Sequence, residues 1–157
     1  MSPSPRIGVF GAGANGGAIA AALFDAGADV TAIDPWPAHV EAVRERGLTV
    51  RAVDGERTSR VPMLHLCQLA EPAPAFDLIV LGVKAYDTRW ACELLRPHLA
   101  EDGAIVATQN GLTLDVVSDV FGVERSVGAV VEVASNMFTP GEIEQQAPLW
   151  LAFGGEH

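Results

Sequence analysis

The 157-residue sequence is poor in charged residues, and above all in basic ones. Lysine and arginine together number 10 against 20 aspartates and glutamates, so the formal net charge is −10. Nucleic acids and anionic membrane surfaces are bound through basic patches, and this balance therefore argues against both kinds of partner. An anionic nucleotide is not excluded, because backbone N–H groups and a helix dipole hold such a ligand locally.

Paired cysteines and metal-ligand spacings are also missing. Cys67 and Cys92 stand apart without a CxxC motif, which is typical of free thiols in a reducing cytosol. His39, His65 and His98 have no second ligand at metal-binding spacing, so we expect no metal site. The N-terminal residues carry neither a basic run nor a separate apolar block, and we expect a cytoplasmic protein without a signal peptide.

The uncharged stretch at residues 7–24 is not typical of a membrane helix. It contains five glycines, and alanine dominates its second half, whereas membrane spans are usually rich in leucine, isoleucine and phenylalanine. The stretch instead predicts a buried strand, a glycine turn and a tightly packed helix.

Apolar residues make up 49% of the chain, enough for the core of one domain over residues 1–157. Strand and helix patterns alternate, and the near-continuous apolar run at 76–83 is typical of a strand buried on both faces of a parallel sheet. The predicted fold is therefore a Rossmann-type α/β domain, with a mainly parallel sheet and helices on both faces. Strands are expected at 6–10, 28–33, 76–83, 103–108 and 126–134, and helices at 14–26, 38–46, 87–99 and 112–121.

Two segments depart from this alternation. Residues 48–53 and 58–66 flank an Asp54-Gly55 turn and predict an inserted β-hairpin. Near the C-terminus, residues 142–146 and 149–153 predict a short antiparallel pair at the edge of the sheet. Neither segment suggests a domain boundary inside the chain.

A glycine-rich loop, Gly11-Ala12-Gly13-Ala14-Asn15-Gly16, joins the first predicted strand to the first predicted helix. The first N–H groups of a helix lack internal partners, and the helix dipole makes that end partly positive, so an anion is stabilised there. A sharp turn, close approach of a phosphate and tight packing of helix on strand each favour glycine. We therefore predict that Gly11, Gly13, Ala14, Asn15 and Gly16 bind the pyrophosphate of a dinucleotide. The alternative is a glycine turn that serves packing alone.

An acidic residue, Asp34, ends the second predicted strand, 23 positions after Gly11. A carboxylate at about this spacing accepts hydrogen bonds from the adenosine ribose hydroxyls and repels a 2′-phosphate, which favours NAD(H). Two alternatives remain. Asp34 could simply begin a proline-containing turn, or nearby arginines (Arg6, Arg44 or Arg46) could offset its charge and admit NADP(H).

Three ordered motifs resemble those of the ketopantoate reductase (2-dehydropantoate 2-reductase) family. They are the glycine loop extended to Gly17, then Val83-Lys84-Ala85-Tyr86, then Gln109-Asn110-Gly111. The stretch from Glu132 to Glu156 is similar to the end of the family's N-terminal domain, so the resemblance covers essentially the whole chain.

The resemblance implies reduction of a small 2-oxo acid by hydride transfer, usually from NADPH. It also implies that Val83, Lys84 and Asn110 line the cofactor and substrate crevice. Lys84 and Asn110 both follow predicted parallel strands, at the ends where ligands bind in open α/β sheets. The Lys84 cation suits a ribose hydroxyl or a substrate carboxylate, and Asn110 both donates and accepts hydrogen bonds. The alternatives are a surface lysine and an Asn-Gly turn without a ligand.

The sequence departs from the family in two respects. The family usually carries a basic residue where Asp34-Pro35-Trp36 stands, and its helical C-terminal domain supplies a catalytic lysine and a substrate-binding glutamate that no residue here matches. We therefore expect the cofactor-binding domain of such a reductase, associated with itself as a homo-oligomer or with a partner catalytic domain. The alternatives are a stand-alone dinucleotide-binding or regulatory module and a truncated fragment.

Overall fold

The computed structural model describes residues 4–73, 75–111 and 113–154. Within them the chain forms eleven strands and four α-helices, joined by turns and short 3₁₀ segments. The helices are α1 (Ala14–Asp25), α2 (Pro37–Arg46), α3 (Thr88–Leu95) and α4 (Leu114–Phe121). The strands are β1 (Arg6–Phe10), β2 (Asp29–Asp34), β3 (Leu48–Ala52), β4 (Gly55–Ser59), β5 (Met63–His65), β6 (Phe76–Leu81), β7 (Leu99–Ala107), β8 (Ser126–Glu132), β9 (Ser135–Thr139), β10 (Glu142–Gln145) and β11 (Trp150–Gly154).

The main sheet has seven strands in the order β11-β8-β7-β6-β1-β2-β5. Its neighbouring strands are parallel except at one edge, where β11 runs antiparallel to β8. The chain moves outward from β1 to β2 and later returns to β6 on the other side of β1. This reversal opens a crevice at the carboxyl ends of the central strands.

The helices cover both faces of the main sheet. One core cluster packs α1 and α2 against the face to which Val9 contributes, and a second packs α3 and α4 against the face of its neighbour Phe10. Successive strand residues point to opposite faces of a sheet. Because helices cover both faces here, the Val9 and Phe10 side chains are both fully buried. The predicted Rossmann-type fold with a mainly parallel sheet is confirmed. None of the helices in the described residues is long and apolar enough to cross a membrane.

The predicted hairpin is confirmed but shorter than expected. β3 and β4 pair antiparallel, with Ala52 opposite Gly55, and they belong to a second sheet in the order β4-β3-β10-β9. The prediction of one extended segment over 58–66 is wrong, because β4 ends at Ser59 and β5 joins β2 of the main sheet. Pro62 lies at the break. It has no N–H to continue a ladder, and its carbonyl accepts the Ala32 N–H of β2 instead.

The predicted pairing of 142–146 with 149–153 is wrong. β10 pairs with β3 and β9 in the second sheet, whereas β11 pairs with β8 in the main sheet. The reason is that α1 lies between the sheets and is covered from both sides. Ile143 of β10 is fully buried against Gly17 of α1, and Leu151 of β11 packs on the core cluster of the main sheet. The predicted antiparallel edge at the C-terminus is therefore β11 on β8.

Several boundaries also differ from the prediction. The helix expected over 87–99 ends at Leu95, before Pro97, and the next strand begins at Leu99 instead of 103. The helix expected over 112–121 begins at Leu114. Residue 112, residue 74 and the end of the family-like tail at 155 and 156 lie outside the described residues.

Candidate functional site

A crevice runs along the carboxyl ends of β1, β2, β6 and β7 and consists of two adjoining cavities. The first, of about 280 Å³, is named the loop cavity; the second, of about 320 Å³, is named the outer cavity. Asn15, Gly82, Val83 and Lys84 line both. The loop cavity also contains Gly11, Gly13, Ala14 and Asp34, and the outer cavity contains Asn110. The crevice thus brings together the predicted site residues, with Gly16 packed behind the loop.

Close backbone packing explains the glycines of the loop. Gly11 has φ +85°, and a Cβ there would lie 2.7 Å from the backbone nitrogen of Val83. A Cβ on Gly16 would lie only 2.2 Å from the Gly11 carbonyl oxygen, so any side chain would push α1 off the sheet. A Cβ on Gly13, by contrast, would meet nothing within 4 Å. Gly13 therefore borders open space in the crevice.

The N-terminus of α1 presents unpaired donors to this space. Gly13 is the N-cap, no side chain caps the helix, and the first turn holds no acidic residue. The Gly17 N–H donates to the Gly13 carbonyl at 2.7 Å, whereas the N–H groups of Ala14 and Asn15 have no acceptor among the described residues. The buried hydroxyl of Ser135 also lacks a partner there, and Ser135 lines the loop cavity. These orphaned donors fit an anion such as pyrophosphate.

Asp34 lies on the far side of the loop cavity and is only 7% exposed. Its Oδ1 accepts the Trp36 N–H at 2.9 Å, while Oδ2 has no hydrogen-bond partner among the described residues. Burial raises the pKa of Asp34 above its usual value, against the opposing effects of the Trp36 N–H and of His39 and His65. One carboxylate oxygen therefore remains available to a ligand.

The three arginines considered as counter-charges for Asp34 are engaged elsewhere. Arg6 begins β1, at the end of the strand opposite the crevice, and donates to the Ala75 carbonyl at 3.0 Å. Arg46 pairs with its exposed neighbour Glu45. Arg44 donates through all three of its side-chain nitrogens, to Glu41, Met63 and Gln68. Lys84 is the one basic residue among those that line the two cavities.

A buried histidine supports the glycine loop. The sequence analysis did not predict this role. His39 of α2 is fully buried, and its Nδ1 accepts the Gly141 N–H at 2.9 Å. The ring must then carry its proton on Nε2, which donates to the Ala12 carbonyl at 2.9 Å. His39 thus joins α2, the glycine loop and the β9–β10 turn. Gly141 is 102 positions away, so no local pattern indicates this contact.

Lys84 and Asn110 lie at the other end of the crevice. Lys84, the only lysine of the sequence, follows β6; it is exposed, and its ammonium group makes no hydrogen bond or ion pair with the described residues. Asn110 lies in the loop after β7 and is also exposed. Thr108 donates to the Leu81 carbonyl and so ties the ends of these two strands together.

Two further residues of the loop cavity, Asp87 and Trp90, were missed by the sequence interpretation. The indole Nε1–H of Trp90 donates to Asp87 Oδ1 at 2.7 Å. The indole and the Phe10 ring meet in a T-shaped arrangement, with ring centroids 5.8 Å apart and an interplanar angle of 74°. An aspartate three residues before a tryptophan at a helix start is a usable signal, but it also fits an ordinary helix cap.

Comparison with known proteins gives a consistent result. The family model described as ketopantoate reductase PanE/ApbA matches residues 7–155. A 2-dehydropantoate 2-reductase of Mesorhizobium japonicum is 36% identical over 107 residues, which are 68% of this chain and 32% of that protein. The crystal structure of 2-dehydropantoate 2-reductase from Geobacter metallireducens GS-15 is 30% identical, with a TM-score of 0.85 over 96% of this chain and 49% of that one.

A third similarity concerns the fold alone. The ternary structure of D-mandelate dehydrogenase with NADH and anilino(oxo)acetate has a TM-score of 0.84 at 22% identity, over 94% of this chain and 47% of that one. The chain therefore spans about a third of the length of the curated relative and about half of the solved structures. Because the family model covers nearly all of the residues, the chain belongs to the ketopantoate reductase family.

Proposed function

We propose that this chain is the dinucleotide-binding domain of an NAD(P)H-dependent 2-oxo acid reductase. The observation that carries the proposal is the set of unpaired N–H groups at the start of α1, which open into a crevice at the strand-order reversal. Bound NAD(P)H would supply the hydride, and the residues of this chain would bind and orient it. A second domain, of the helical kind that the family resemblance implies, would complete the active site.

The pyrophosphate would lie on the glycine loop. The N–H groups of Ala14 and Asn15 would donate to its oxygens, aided by the positive end of the α1 dipole. Gly13 leaves room for the phosphates, while Gly11 and Gly16 let the loop and the helix pack closely on β6. His39 would hold the loop in this shape through the Ala12 carbonyl.

The adenosine ribose would bind at Asp34, with NADH preferred over NADPH. Asp34 Oδ2 is available to accept a ribose hydroxyl, whereas a 2′-phosphate would lie against a carboxylate with no arginine among the described residues that line the loop cavity. This preference would be opposite to the one usual in the family.

The nicotinamide and the 2-oxo acid would meet in the outer cavity. The Lys84 ammonium, which has no partner among the described residues, is suited to the substrate carboxylate or to a ribose hydroxyl, and the Asn110 amide can donate to one group and accept from another. Hydride transfer to the 2-oxo carbon leaves the carbonyl oxygen in need of a proton. Since no residue of this chain matches the family's catalytic lysine, that proton would come from the second domain.

Calorimetric titration with NADH and NADPH tests the cofactor assignment. We expect the wild type to bind NADH more tightly than NADPH. Asp34→Ala should weaken NADH binding and narrow the difference in affinity between NADH and NADPH. Much tighter binding of NADPH to the wild type would show that the interpretation of Asp34 is wrong.

A turnover assay with ketopantoate tests whether this chain needs a second domain for catalysis. We expect this chain alone to bind the dinucleotide without reducing ketopantoate, and to gain activity only with the second domain. Reduction of ketopantoate by this chain alone would show that the second domain is not required. It would also exclude the alternative of a non-catalytic module.

Association is part of the proposal. Val130, Trp150 and Phe153 of the β8–β11 edge are each more than half exposed, which supports contact with a second copy or a partner domain. Light scattering at high protein concentration checks self-association, and a strictly monomeric species would contradict contact with a second copy.

A further inference from the structure

Trp90 forms one wall of the loop cavity and is held there before any ligand arrives. It is 42% exposed although it is one of the largest apolar side chains of the protein. Its indole N–H donates to Asp87 and its ring makes a T-shaped contact with Phe10, so the orientation of the ring is fixed beside the cavity. Pro35, next to Asp34, lines the same cavity from the end of β2. Trp90 and Pro35 thus give the loop cavity two apolar ring side chains beside the proposed ribose site.

Asp87 uses its side chain in an unusual way. It occupies the N-cap position of α3, where an aspartate usually accepts a backbone N–H of the first turn, yet its side chain caps no such group. Oδ1 instead accepts the Trp90 indole N–H, and Oδ2 has no partner among the described residues that line the cavity with it. The carboxylate therefore offers the loop cavity a further acceptor.

We propose that Trp90 and Asp87 recognise the adenine base and select it over bases without a 6-amino group. The proposal rests on dinucleotide binding as proposed above and deepens it. The base would stack on the Trp90 indole, and its exocyclic amino group would donate to Asp87 Oδ2. A base with a carbonyl at that position, such as hypoxanthine, would set an oxygen against the carboxylate and lose the hydrogen bond.

The negative charge of Asp87 indicates that this residue selects between bases and does not add to the general affinity for dinucleotides. A second carboxylate beside Asp34 repels an anionic dinucleotide in general, so Asp87 would lower affinity unless a donor of the ligand met it. An amino group of the base is such a donor.

The test is calorimetric titration of the chain with NADH and with nicotinamide hypoxanthine dinucleotide in its reduced form. For the wild type we expect NADH to bind about tenfold more tightly than the hypoxanthine analogue. Trp90→Leu keeps an apolar contact with Phe10 but removes the flat surface, and should weaken both ligands by about tenfold. Trp150→Leu, at a tryptophan of β11 that is 53% exposed and lies outside the two cavities, is the control and should change neither.

Asp87→Asn gives the decisive result because it should invert the preference. The asparagine Oδ1 still accepts the Trp90 N–H, but Nδ2 now stands as a donor where Oδ2 stood. The 6-carbonyl of hypoxanthine would then accept a hydrogen bond from Nδ2. The adenine amino group would instead face another donor and lose its hydrogen bond. Loss of the negative charge should strengthen both ligands, so the ratio of the two affinities is the measured quantity. Circular dichroism verifies the fold of each variant, and Asp87→Asn carries the test even if Trp90→Leu does not fold.

The outcomes separate this inference from the proposed function. If NADH binds but the wild type does not distinguish the two bases, or Asp87→Asn leaves their ratio unchanged, base recognition is overturned and the dinucleotide site stands. If only NADPH binds, the same comparison applies to NADPH and its hypoxanthine analogue. If no dinucleotide binds, the proposed function fails and base recognition fails with it.

Discussion

The two ends of the crevice are built differently. In the loop cavity, the proposed adenosine end, Asp34, Asp87 and Trp90 are each fixed by a hydrogen bond within the chain, and the glycine loop is held by His39. In the outer cavity, the proposed nicotinamide end, Lys84 and Asn110 are exposed, and the Lys84 ammonium has no partner among the described residues.

This difference separates binding from catalysis. A preorganised end loses little conformational freedom when a ligand binds, so it can contribute affinity by itself. The open end lacks the surrounding groups that would fix two flexible side chains in a reactive geometry. We therefore expect this chain to bind the adenosine half of its cofactor well and the reacting half poorly. The following predictions address that contrast, from the largest expected effect to the smallest.

The largest effect is expected at the glycine loop. Gly16→Ala places a methyl group 2.2 Å from the Gly11 carbonyl oxygen, so it should cost about 2 kcal/mol of stability or more and abolish measurable NADH binding. Gly13→Ala is the matched control, since its methyl group enters open space and φ is already −68°. Its stability should be unchanged, while NADH binding falls because the methyl group faces the pyrophosphate. Urea unfolding and calorimetry separate the two effects. Equal loss of stability in both variants would contradict the assignment.

His39→Leu should come next in size. The substitution leaves the Ala12 carbonyl and the Gly141 N–H buried without partners, which costs about 1–3 kcal/mol for each group. His65 is a suitable comparison, because its Nε2 also bonds a backbone carbonyl, that of Pro35, but in an exposed position. Since water replaces the lost bond, His65→Leu should cost less than about 1 kcal/mol. Similar unfolding free energies for the two variants would show that His39 does not support the loop.

The parts of the fold that sequence predicts are those set by local patterns. The apolar run at 76–83 indicates a buried parallel strand by itself, and the glycine loop indicates its own turn and helix start. The partners of β10 and β11 could not be predicted, because they depend on which side of α1 each strand covers. β9 alternates polar and apolar residues only weakly and is fixed by pairing with β10.

The candidate site divides in the same way. Asp34, Lys84 and Asn110 follow predicted strands, and parallel strands bring their carboxyl ends together. His39 could not be found, because its role depends on a contact with Gly141 across most of the chain. Asp87 and Trp90 are near neighbours, but only the structure shows that the side chain of Asp87 bonds the indole and not the helix backbone.

Asp34→Asn should separate stability from specificity. Burial raises the pKa of Asp34, so the folded protein holds this proton more tightly than the unfolded chain does. The stabilisation that the protonated Asp34 contributes is fully present below the pKa of this group in the unfolded chain. It is lost as the pH rises through its higher pKa in the folded protein. Asparagine still accepts the Trp36 N–H without an ionised form. The variant should therefore be the more stable protein at neutral pH, with an advantage that disappears on acidification.

The same variant should bind NADPH relatively better, by about tenfold or more, because a like charge no longer faces the 2′-phosphate. Thermal unfolding as a function of pH and titration with both dinucleotides measure these effects. A wild type more stable than Asp34→Asn at pH 7 would contradict the burial argument.

Lys84→Met should have the smallest effect, and its smallness is informative. Lys84 is exposed and unpaired with the described residues, so its loss should change the unfolding free energy by less than about 0.5 kcal/mol. ADP, which reaches only the adenosine end and the pyrophosphate, should bind the variant as it binds the wild type. NADH should weaken by no more than about threefold, because the nicotinamide end is not yet organised. A large loss of NADH affinity would show that Lys84 already binds the cofactor, and the contrast between the two ends would not hold.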